Sequence, residues 1–133
     1  MGIKDSEVRK GYLYTEEHEW VRVEDDEVTV GVTDYAQQML TDVVYAELPD
    51  VGKELSKDQS FMVLESVKSV SDVSAPITGM VSEVNEDLAD FPERVNESPY
   101  DEGWLVKVRP SESSELEELM SADEYREFLA GEG

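Results

Sequence analysis

Lys68 is the residue whose position most clearly suggests chemistry, because it lies between two stretches that are typical of β-strands. Residues 61–64 form a short, continuous apolar run, as expected of a buried strand, and residues 70–75 form a second β-prone stretch that ends at Pro76. The pattern predicts a hairpin with Lys68 at or near its tip. A lysine amine there is exposed to other enzymes, and lysine is a common site of covalent modification. The alternative is an ordinary solvated lysine, since the chain has six.

Side chains suited to catalysis or metal binding are scarce. The chain has no cysteine and one histidine, so it offers no thiolate nucleophile and no zinc site built from cysteine and histidine. The histidine, His18, precedes Glu19, but adjacent residues of a strand point to opposite faces and do not share a proton path. The acidic run at residues 24–27 lacks the glycine and the alternate spacing of a calcium loop. We therefore expect a protein that is not an enzyme, with no catalytic residue and no metal, in which any redox sulfur comes from a cofactor.

The chain is strongly acidic, with 33 Asp and Glu against 11 Lys and Arg, a net charge of −22 and a pI near 4.1. Such a charge repels nucleic acids and anionic membranes, so neither is an expected partner. The acids are spread over the whole chain, which favours an adaptation to solubility or high salt over steering toward basic partners. No apolar run is long enough to cross a membrane, and the N-terminus lacks the apolar stretch of a secretory signal. We expect a cytoplasmic monomer.

The elements around Lys68 are mostly short strands separated by turns, which predicts a mainly β sandwich or barrel. We expect strands over residues 12–24, 27–32, 43–48, 60–67, 70–75, 80–84 and 104–108. Pro-x-x-Gly occurs at residues 49–52 and 76–79, each time between two strands, and hints at two similar half-sheets. The long stretch at residues 85–103 is expected to hold one helical turn.

Helices are predicted from capping patterns. Asp34 is expected to cap a short helix, in a capping-box pattern with Gln37, and this helix is expected to run to about Leu40. In the C-terminal helical segment, Ser114 with Glu117 and Ser121 with Glu124 are both capping-box patterns. Apolar stripes in residues 116–129 are expected to pack onto the sheet.

The length of 133 residues fits one domain. We expect an N-terminal extension at residues 1–10 that is mobile because it is polar and terminal. Residues 11–110 are assigned to the main domain, and residues 111–133 to a C-terminal helical segment packed on the same domain.

Several motifs have a family counterpart. The segment around the candidate lysine reads Glu65-Ser66-Val67-Lys68, followed by Ser71-Asp72-Val73 and Ala75-Pro76-Ile77-Thr78-Gly79. It resembles the lipoyl-attachment segment of glycine cleavage system H proteins. Other stretches between about residue 11 and residue 125 also resemble this family, and they occur in the same order as in its members. Among them are His18-Glu19-Trp20-Val21, residues 30–37, residues 42–49, Ser98-Pro99-Tyr100 and Gly103-Trp104-Leu105. Biotin carriers normally flank their lysine with methionines, and lipoyl domains of 2-oxoacid dehydrogenases typically read Asp-Lys-Ala, whereas Val67 and Ser69 flank Lys68 here.

The resemblance implies a fold and a cofactor. The fold is a barrel-sandwich hybrid of two antiparallel sheets, as in lipoyl and biotinyl carriers, with short helices and a C-terminal helical segment. The cofactor is lipoate in covalent amide linkage to Lys68, within an attachment segment that includes Glu65, Ser66 and Val67.

Two acids outside that tetrapeptide also have implied roles. The resemblance places Glu19 and Asp72 near a cleft that receives the lipoyl-lysine arm when this arm carries an aminomethyl group. Carboxylates there can bind a protonated amine. The alternative is that both are ordinary surface acids of a very acidic chain.

The implied function is that of a lipoyl carrier protein in glycine catabolism and one-carbon metabolism. Such a carrier takes an aminomethyl group from a pyridoxal-phosphate glycine decarboxylase to a tetrahydrofolate-dependent aminomethyltransferase, and electrons to a dihydrolipoyl dehydrogenase. A lipoate ligase or lipoyltransferase is a fourth implied partner. For a eukaryotic source, the resemblance implies the mitochondrial matrix as the location. The alternative is an H-like protein that serves as a relay or depot for lipoate without taking part in glycine cleavage.

Overall fold

The computed structural model describes residues 6–132 and contains two antiparallel β-sheets. The larger sheet has six strands, in the spatial order β1 (Leu13–Tyr14), β2 (Glu19–Val23), β3 (Val28–Val32), β9 (Val106–Pro110), β8 (Gly79–Val84) and β5 (Glu54–Leu55). The smaller sheet has three strands, in the order β4 (Val43–Glu47), β6 (Ser60–Ser66) and β7 (Val70–Ser74). The predicted mainly β fold of two antiparallel sheets is confirmed.

The helices are short and lie outside the sheets. They are α1 (Asp34–Leu40), α2 (Asp87–Asp90), α3 (Arg94–Glu97), a 3-10 helix at Ser113–Glu118 and α4 (Ala122–Glu132). The stretch at residues 85–103 therefore contains two helical turns where one was predicted. In the described part of the chain, no helix has the length and apolar character needed to span a bilayer.

The main core lies between the two sheets. Val30 and Val108 of the larger sheet and Leu64 and Val73 of the smaller one are buried there. Side chains alternate between the two faces of a strand, so these buried positions also fix which residues of β6 and β7 point away from the core.

A second cluster, of aromatic side chains, lies on the other face of the larger sheet, because Trp20 alternates with the core residue Val21. Trp20 pairs with Gly31 across β2 and β3, and its indole covers this glycine so closely that a Cβ would come within 2.5 Å of the ring. Tyr125 of α4 stacks on Tyr14, with 4.6 Å between the ring centroids. The C-terminal helix is thereby packed against the larger sheet.

The two Pro-x-x-Gly motifs carry the chain from one sheet to the other. Residues 49–52 connect β4 to β5, and residues 76–79 lead from β7 into β8. β5 and β8 then pair with each other in antiparallel fashion. Gly52 has φ +96°, a conformation that favours glycine. Both motifs therefore stand at crossings between the sheets, and the similarity of two half-sheets stays a prediction.

The single strand predicted over residues 12–24 is wrong. The chain turns through residues 15–18 between β1 and β2. His18 lies in this turn with φ +70°, and its carbonyl oxygen accepts a hydrogen bond from the Thr33 N–H at 3.0 Å. The argument that placed His18 and Glu19 on opposite faces of a strand therefore does not apply.

Two predicted helix caps are also wrong, although α1 covers the predicted residues. Thr33, and not Asp34, caps α1, because its hydroxyl accepts a hydrogen bond from the first turn of the helix at 3.2 Å. Ser114 lies inside the 3-10 helix, whose start has no side-chain cap. The capping box predicted for Ser121 and Glu124 is confirmed, with hydrogen bonds of 2.9 and 3.2 Å.

Residues 6–10 are hydrogen-bonded to the domain. Arg9 donates two hydrogen bonds to the Asp101 carboxylate, at 2.9 and 3.0 Å, and its guanidinium lies 5.1 Å from the centre of the Tyr100 ring. The backbone N–H of Arg9 donates to the Tyr14 hydroxyl at 2.8 Å. Residues 6–10 are the part of the predicted N-terminal extension, residues 1–10, that the structure describes, and residues 1–5 lie outside the described residues.

Candidate functional site

The hairpin predicted around Lys68 is present. β6 and β7 pair through Glu65 and Val70, and the Ser66 N–H donates a hydrogen bond to the Ser69 carbonyl oxygen at 2.8 Å. Ser66 Oγ also accepts hydrogen bonds from the backbone N–H groups of Lys68 and Ser69, at 3.2 and 3.1 Å. The serine hydroxyl thus stabilises a turn that contains no glycine or proline, and the Lys68 side chain is exposed at its tip.

The hairpin tip is also attached to the loop that follows α1. The Val67 N–H donates to the Asp42 carbonyl oxygen at 3.0 Å. Thr41, the preceding residue, has φ +63° and accepts a hydrogen bond from the Asn96 side chain at 2.7 Å. The same Asn96 side chain accepts from the Val43 N–H at 2.8 Å. The position of Lys68 is therefore set by tertiary contacts as well as by the turn.

A cleft of about 500 Å³ lies beside the hairpin. It is lined by the β1–β2 turn, by α1 and by the hairpin, through side chains that include His18, Glu19, Tyr35, Met39, Lys68 and Asp72. The volume is within the range of small-molecule pockets, and the lining combines apolar groups with a few acids. Such a cleft suits an apolar chain that ends in a polar or cationic group.

Glu19 is a buried acid in this cleft, with only 3% of its surface exposed. One carboxylate oxygen accepts a hydrogen bond from the Thr15 hydroxyl at 2.8 Å, and the other accepts from the Ser74 N–H at 3.1 Å. Burial raises the pKa of Glu19 to about 7, the two hydrogen bonds oppose this rise, and the nearby acids Glu17 and Asp58 add to it. At neutral pH the carboxyl is thus divided between its protonated and ionised forms, and a cation in the cleft would favour the ionised form.

Three of the predicted site residues line the cleft together, namely Lys68, Glu19 and Asp72. Glu19 starts β2 in the larger sheet, whereas the other two belong to the hairpin of the smaller sheet. The packing of the two sheets brings them together. The two acids differ in their surroundings, since Glu19 is buried and Asp72 is exposed.

The other three predicted residues lie around the tip and do not line the cleft. Ser66 forms the turn, and Val67 exposes 69% of its surface. Glu65 is half-buried on β6, in cross-strand register with Tyr45 of β4 and Val70 of β7. Tyr45 and Val70 are themselves 50% and 66% exposed, so Glu65 lies between two accessible apolar side chains.

The apolar and aromatic side of the cleft was missed by the sequence analysis. Tyr35 and Met39 come from α1, and the Tyr35 ring lies 4.5 Å from the His18 ring, measured between centroids. Residues 35, 36, 39 and 40 have helical spacing, so the sequence did contain a signal for a stripe on one face of α1. That this face lines a cleft depends on the position of β7, which the local pattern does not encode.

The chain is similar to known proteins over most of its length. The family profile described as glycine cleavage H-protein matches residues 12–132. The glycine cleavage system H protein of Halalkalibacterium halodurans is 56% identical over 119 residues, which cover 90% of this chain and 93% of that relative. The glycine cleavage system H protein of Anaeromyxobacter sp. (strain K) is 51% identical over 123 residues, covering 92% and 96%. A crystal structure of a glycine cleavage system H protein from Mycobacterium marinum has a TM-score of 0.84 and 35% identity, covering 95% of this chain and 99% of that one.

Proposed function

This chain belongs to the glycine cleavage H-protein family, and from that membership we propose that it is the lipoyl carrier of a glycine cleavage system, with lipoate attached by an amide bond to Lys68. The observation that carries the proposal is the position of Lys68, which is exposed at the tip of a well-anchored hairpin and also lines the cleft. An attaching enzyme can reach a lysine in this place. Once modified, the side chain can enter the cleft of its own protein.

The cleft fits a lipoyl group in size and in chemistry. Its volume of about 500 Å³ is ample for a hydrocarbon chain, and Met39 and Leu40 offer apolar contacts. Amide formation removes the charge of Lys68, which lowers the cost of placing this side chain against apolar groups. When bound, the lipoyl group supplies a disulfide that accepts the aminomethyl cargo and two electrons, chemistry that a chain without cysteine does not provide itself.

Glu19 and Asp72 are proposed to hold the cationic end of the cargo. The amine of an aminomethyl group is protonated near neutral pH, and a carboxylate beside it forms a charge-assisted hydrogen bond. Glu19, whose pKa burial raises to about 7, would be driven to its ionised form by that cation. Asp72, which is exposed, would meet the cation from the solvent side. The surrounding side chains would keep water from a labile group.

The protein is proposed to act as a carrier and not as an enzyme. The proposed partners are a pyridoxal-phosphate glycine decarboxylase, a tetrahydrofolate-dependent aminomethyltransferase, a dihydrolipoyl dehydrogenase and a lipoate ligase or lipoyltransferase. Tethering through Lys68 raises the effective concentration of the cargo at each of these active sites. A lipoate relay or depot outside glycine cleavage is not favoured, because the similar proteins are named for that system.

Reconstitution tests the proposed function. The full chain is lipoylated with a lipoate ligase and combined with the decarboxylase, the aminomethyltransferase and the dehydrogenase, and NADH formation from glycine, tetrahydrofolate and NAD⁺ is followed. We expect NADH formation that requires glycine and the lipoylated chain, and none with the unmodified chain. Reduction and oxidation of the lipoylated chain by the dehydrogenase, without glycine-dependent turnover, would support the relay function instead.

Glu65→Ala is expected to slow lipoylation by up to about fivefold and to leave the fold intact. Glu65 lies outside the cleft, between Tyr45 and Val70, where it can contact the lipoylating enzyme, and a surface charge of this kind contributes about 0.2–1 kcal/mol. Asp72→Ala is expected to be lipoylated closer to the wild-type rate, because Asp72 lines the cleft. The measurement is kcat/KM for ligase-catalysed lipoylation, followed by intact mass.

Glu83→Ala serves as the control for both variants, since Glu83 is an exposed acid on β8, in the other sheet. All three variants are expected to keep the circular-dichroism spectrum of the wild type. Loss of the folded signal in Glu65→Ala or Asp72→Ala would show that the acid is structural. An unchanged rate in Glu65→Ala would remove Glu65 from the recognition surface.

A further inference from the structure

We infer that Tyr125 of α4 is a positioning residue for the cleft, because its hydroxyl fastens together the two elements that form one side of it. The inference rests on the proposed function, in which the cleft holds the loaded arm of Lys68. It assigns to the C-terminal helix a part in retention of the cargo, although none of the α4 side chains that the structure describes lines the cleft.

The Tyr125 hydroxyl lies between two residues from different elements. It is 2.8 Å from His18 Nδ1 and 2.8 Å from Thr33 Oγ1, and Tyr125 is fully buried. His18 belongs to the β1–β2 turn and lines the cleft, and Thr33 caps α1, whose Tyr35 and Met39 also line it. A single hydroxyl therefore links the turn to the start of the helix.

The backbone of His18 depends on this support. A φ of +70° is uncommon for a residue other than glycine, and such conformations persist where the surroundings hold them. The His18 carbonyl accepts a hydrogen bond from the Thr33 N–H at 3.0 Å. Its ring lies 4.5 Å from Tyr35 on the cleft side and 5.8 Å from Phe128 of α4, measured between centroids.

The consequence for the cargo follows from the next residue in the chain. Glu19 comes directly after His18, and its carboxylate is proposed to hold the cationic end of the cargo. If the turn shifts relative to α1, then Glu19, His18 and Tyr35 no longer present the same surface to the arm. Removal of the Tyr125 hydroxyl should therefore weaken retention of the cargo without affecting the attachment of lipoate at Lys68.

Tyr125→Phe tests this inference, with Tyr14→Phe as a matched control. Both tyrosines are fully buried, they stack on each other, and both hydroxyls are hydrogen-bonded. The partner of Tyr14 is the backbone of Arg9, in the N-terminal segment, whereas the partners of Tyr125 are at the cleft. The two variants should therefore lose similar stability but differ in their effect on the cleft.

The first readout is the imidazole NMR signal of His18, which is unambiguous because the chain has one histidine. We expect Tyr125→Phe to shift this signal in the unmodified protein, and Tyr14→Phe to leave it close to that of the wild type. In the wild type, loading of the arm should change the signal as well, because His18 lines the cleft. That loading-dependent change should be lost in Tyr125→Phe.

The second readout is the lifetime of the cargo after loading with glycine and the decarboxylase, which is then removed. In the decay, water attacks the carbon between sulfur and nitrogen, the carbon–sulfur and carbon–nitrogen bonds break, and a thiol, formaldehyde and ammonium are released. We expect this decay to be about threefold to tenfold faster in Tyr125→Phe. The two hydrogen bonds of the hydroxyl act in series, so the link between turn and helix is expected to contribute about as much as one neutral hydrogen bond. Tyr14→Phe should decay at the wild-type rate, and all three proteins should be lipoylated equally fast.

A second variant keeps the inference testable if Tyr125→Phe proves too unstable. His18→Asn retains a residue that tolerates the left-handed conformation but removes the ring. It should accelerate decay to a similar extent, and the double variant with Tyr125→Phe should be no faster than either single one, because both changes break the same link. Wild-type decay rates and an unshifted His18 signal in Tyr125→Phe would overturn the inference. Failure of the wild type to be loaded would instead contradict the proposed function.

Discussion

Lys68→Arg is expected to give a protein that folds like the wild type and carries no lipoyl group. The lipoylated residue needs an amine that can lose its proton and form an amide, and the arginine guanidinium stays protonated in proteins. The fold should be unaffected, because the side chain at position 68 is exposed and the turn is held by Ser66 and by the backbone. Intact mass after incubation with lipoate and ligase should show no modification, and glycine-dependent NADH formation should fall below detection.

Lys53→Arg is the matched control, because Lys53 is also an exposed lysine next to a turn. It should be lipoylated at the wild-type rate and should support full activity. Peptide mapping is expected to place the lipoyl group on Lys68 alone. Lipoate found on Lys53 or Lys107, or a lipoylated Lys68→Arg variant, would contradict the assignment of the attachment site.

The hairpin that presents Lys68 could be predicted because its determinants are local. The apolar run at residues 61–64 indicated the first strand, and the β-prone stretch at residues 70–75, which ends at Pro76, indicated the second. The break between β1 and β2 could not be predicted in this way. Residues 15–18 contain neither glycine nor proline, and His18 adopts its left-handed conformation with support from Thr33, which belongs to a different part of the chain.

The start of α1 shows why a cap can be misplaced by one residue. Thr33 and Asp34 are both good N-cap residues, so the local pattern does not distinguish them. In the fold, Asp34 is occupied elsewhere, since its carboxylate accepts hydrogen bonds from the Gln37 side chain at 2.7 Å and from the Glu7 N–H at 2.8 Å. Thr33 is left to cap the helix and to contact Tyr125.

The cleft could be predicted only through the family resemblance, which named Glu19 and Asp72. Its other side depends on packing between distant segments. Tyr125 is far from His18 in the sequence, and no periodicity relates them, yet the contact between them is 2.8 Å. Glu19 alternates with Val21 along the chain, which predicts a shared and partly buried face, but its second partner is a backbone N–H of β7 in the other sheet, which the local pattern does not encode.

Glu19→Gln is expected to remove a pH dependence of stability that the wild type carries. Burial raises the pKa of Glu19 to about 7, from an ordinary value of 4.5. A carboxyl whose pKa is raised by folding contributes stability that is fully present below the unfolded pKa and is lost as the pH rises through the folded pKa. The loss should reach about 3 kcal/mol near pH 8. Glutamine is uncharged at every pH, so the variant should not show this loss. The unfolding free energy of the variant minus that of the wild type should therefore rise by about 3 kcal/mol from acid to alkaline pH.

Urea unfolding of the unmodified proteins over this pH range measures the effect. Glu16→Gln is the control, because Glu16 is an exposed acid in the same turn and does not line the cleft. The remaining acids are common to the three proteins, so most of their contribution to the pH dependence of stability cancels in the differences. A difference between Glu19→Gln and the wild type that stays constant with pH would show that burial does not raise the pKa of Glu19 in the folded protein.

In the lipoylated and loaded protein, the same Glu19→Gln substitution is expected to shorten the lifetime of the cargo by about tenfold or more. A charge-assisted hydrogen bond between the carboxylate and the cargo's ammonium group contributes about 1.5–3 kcal/mol, and a neutral amide cannot replace it. The same cation should lower the pKa of Glu19, so the loaded wild type should lose less stability between acid and alkaline pH than the unloaded one. Decay is measured at fixed high salt with Glu16→Gln beside it. Equal decay rates in all three proteins would mean that Glu19 does not bind the cargo. Its burial would then be compensated by its hydrogen bonds with Thr15 and Ser74.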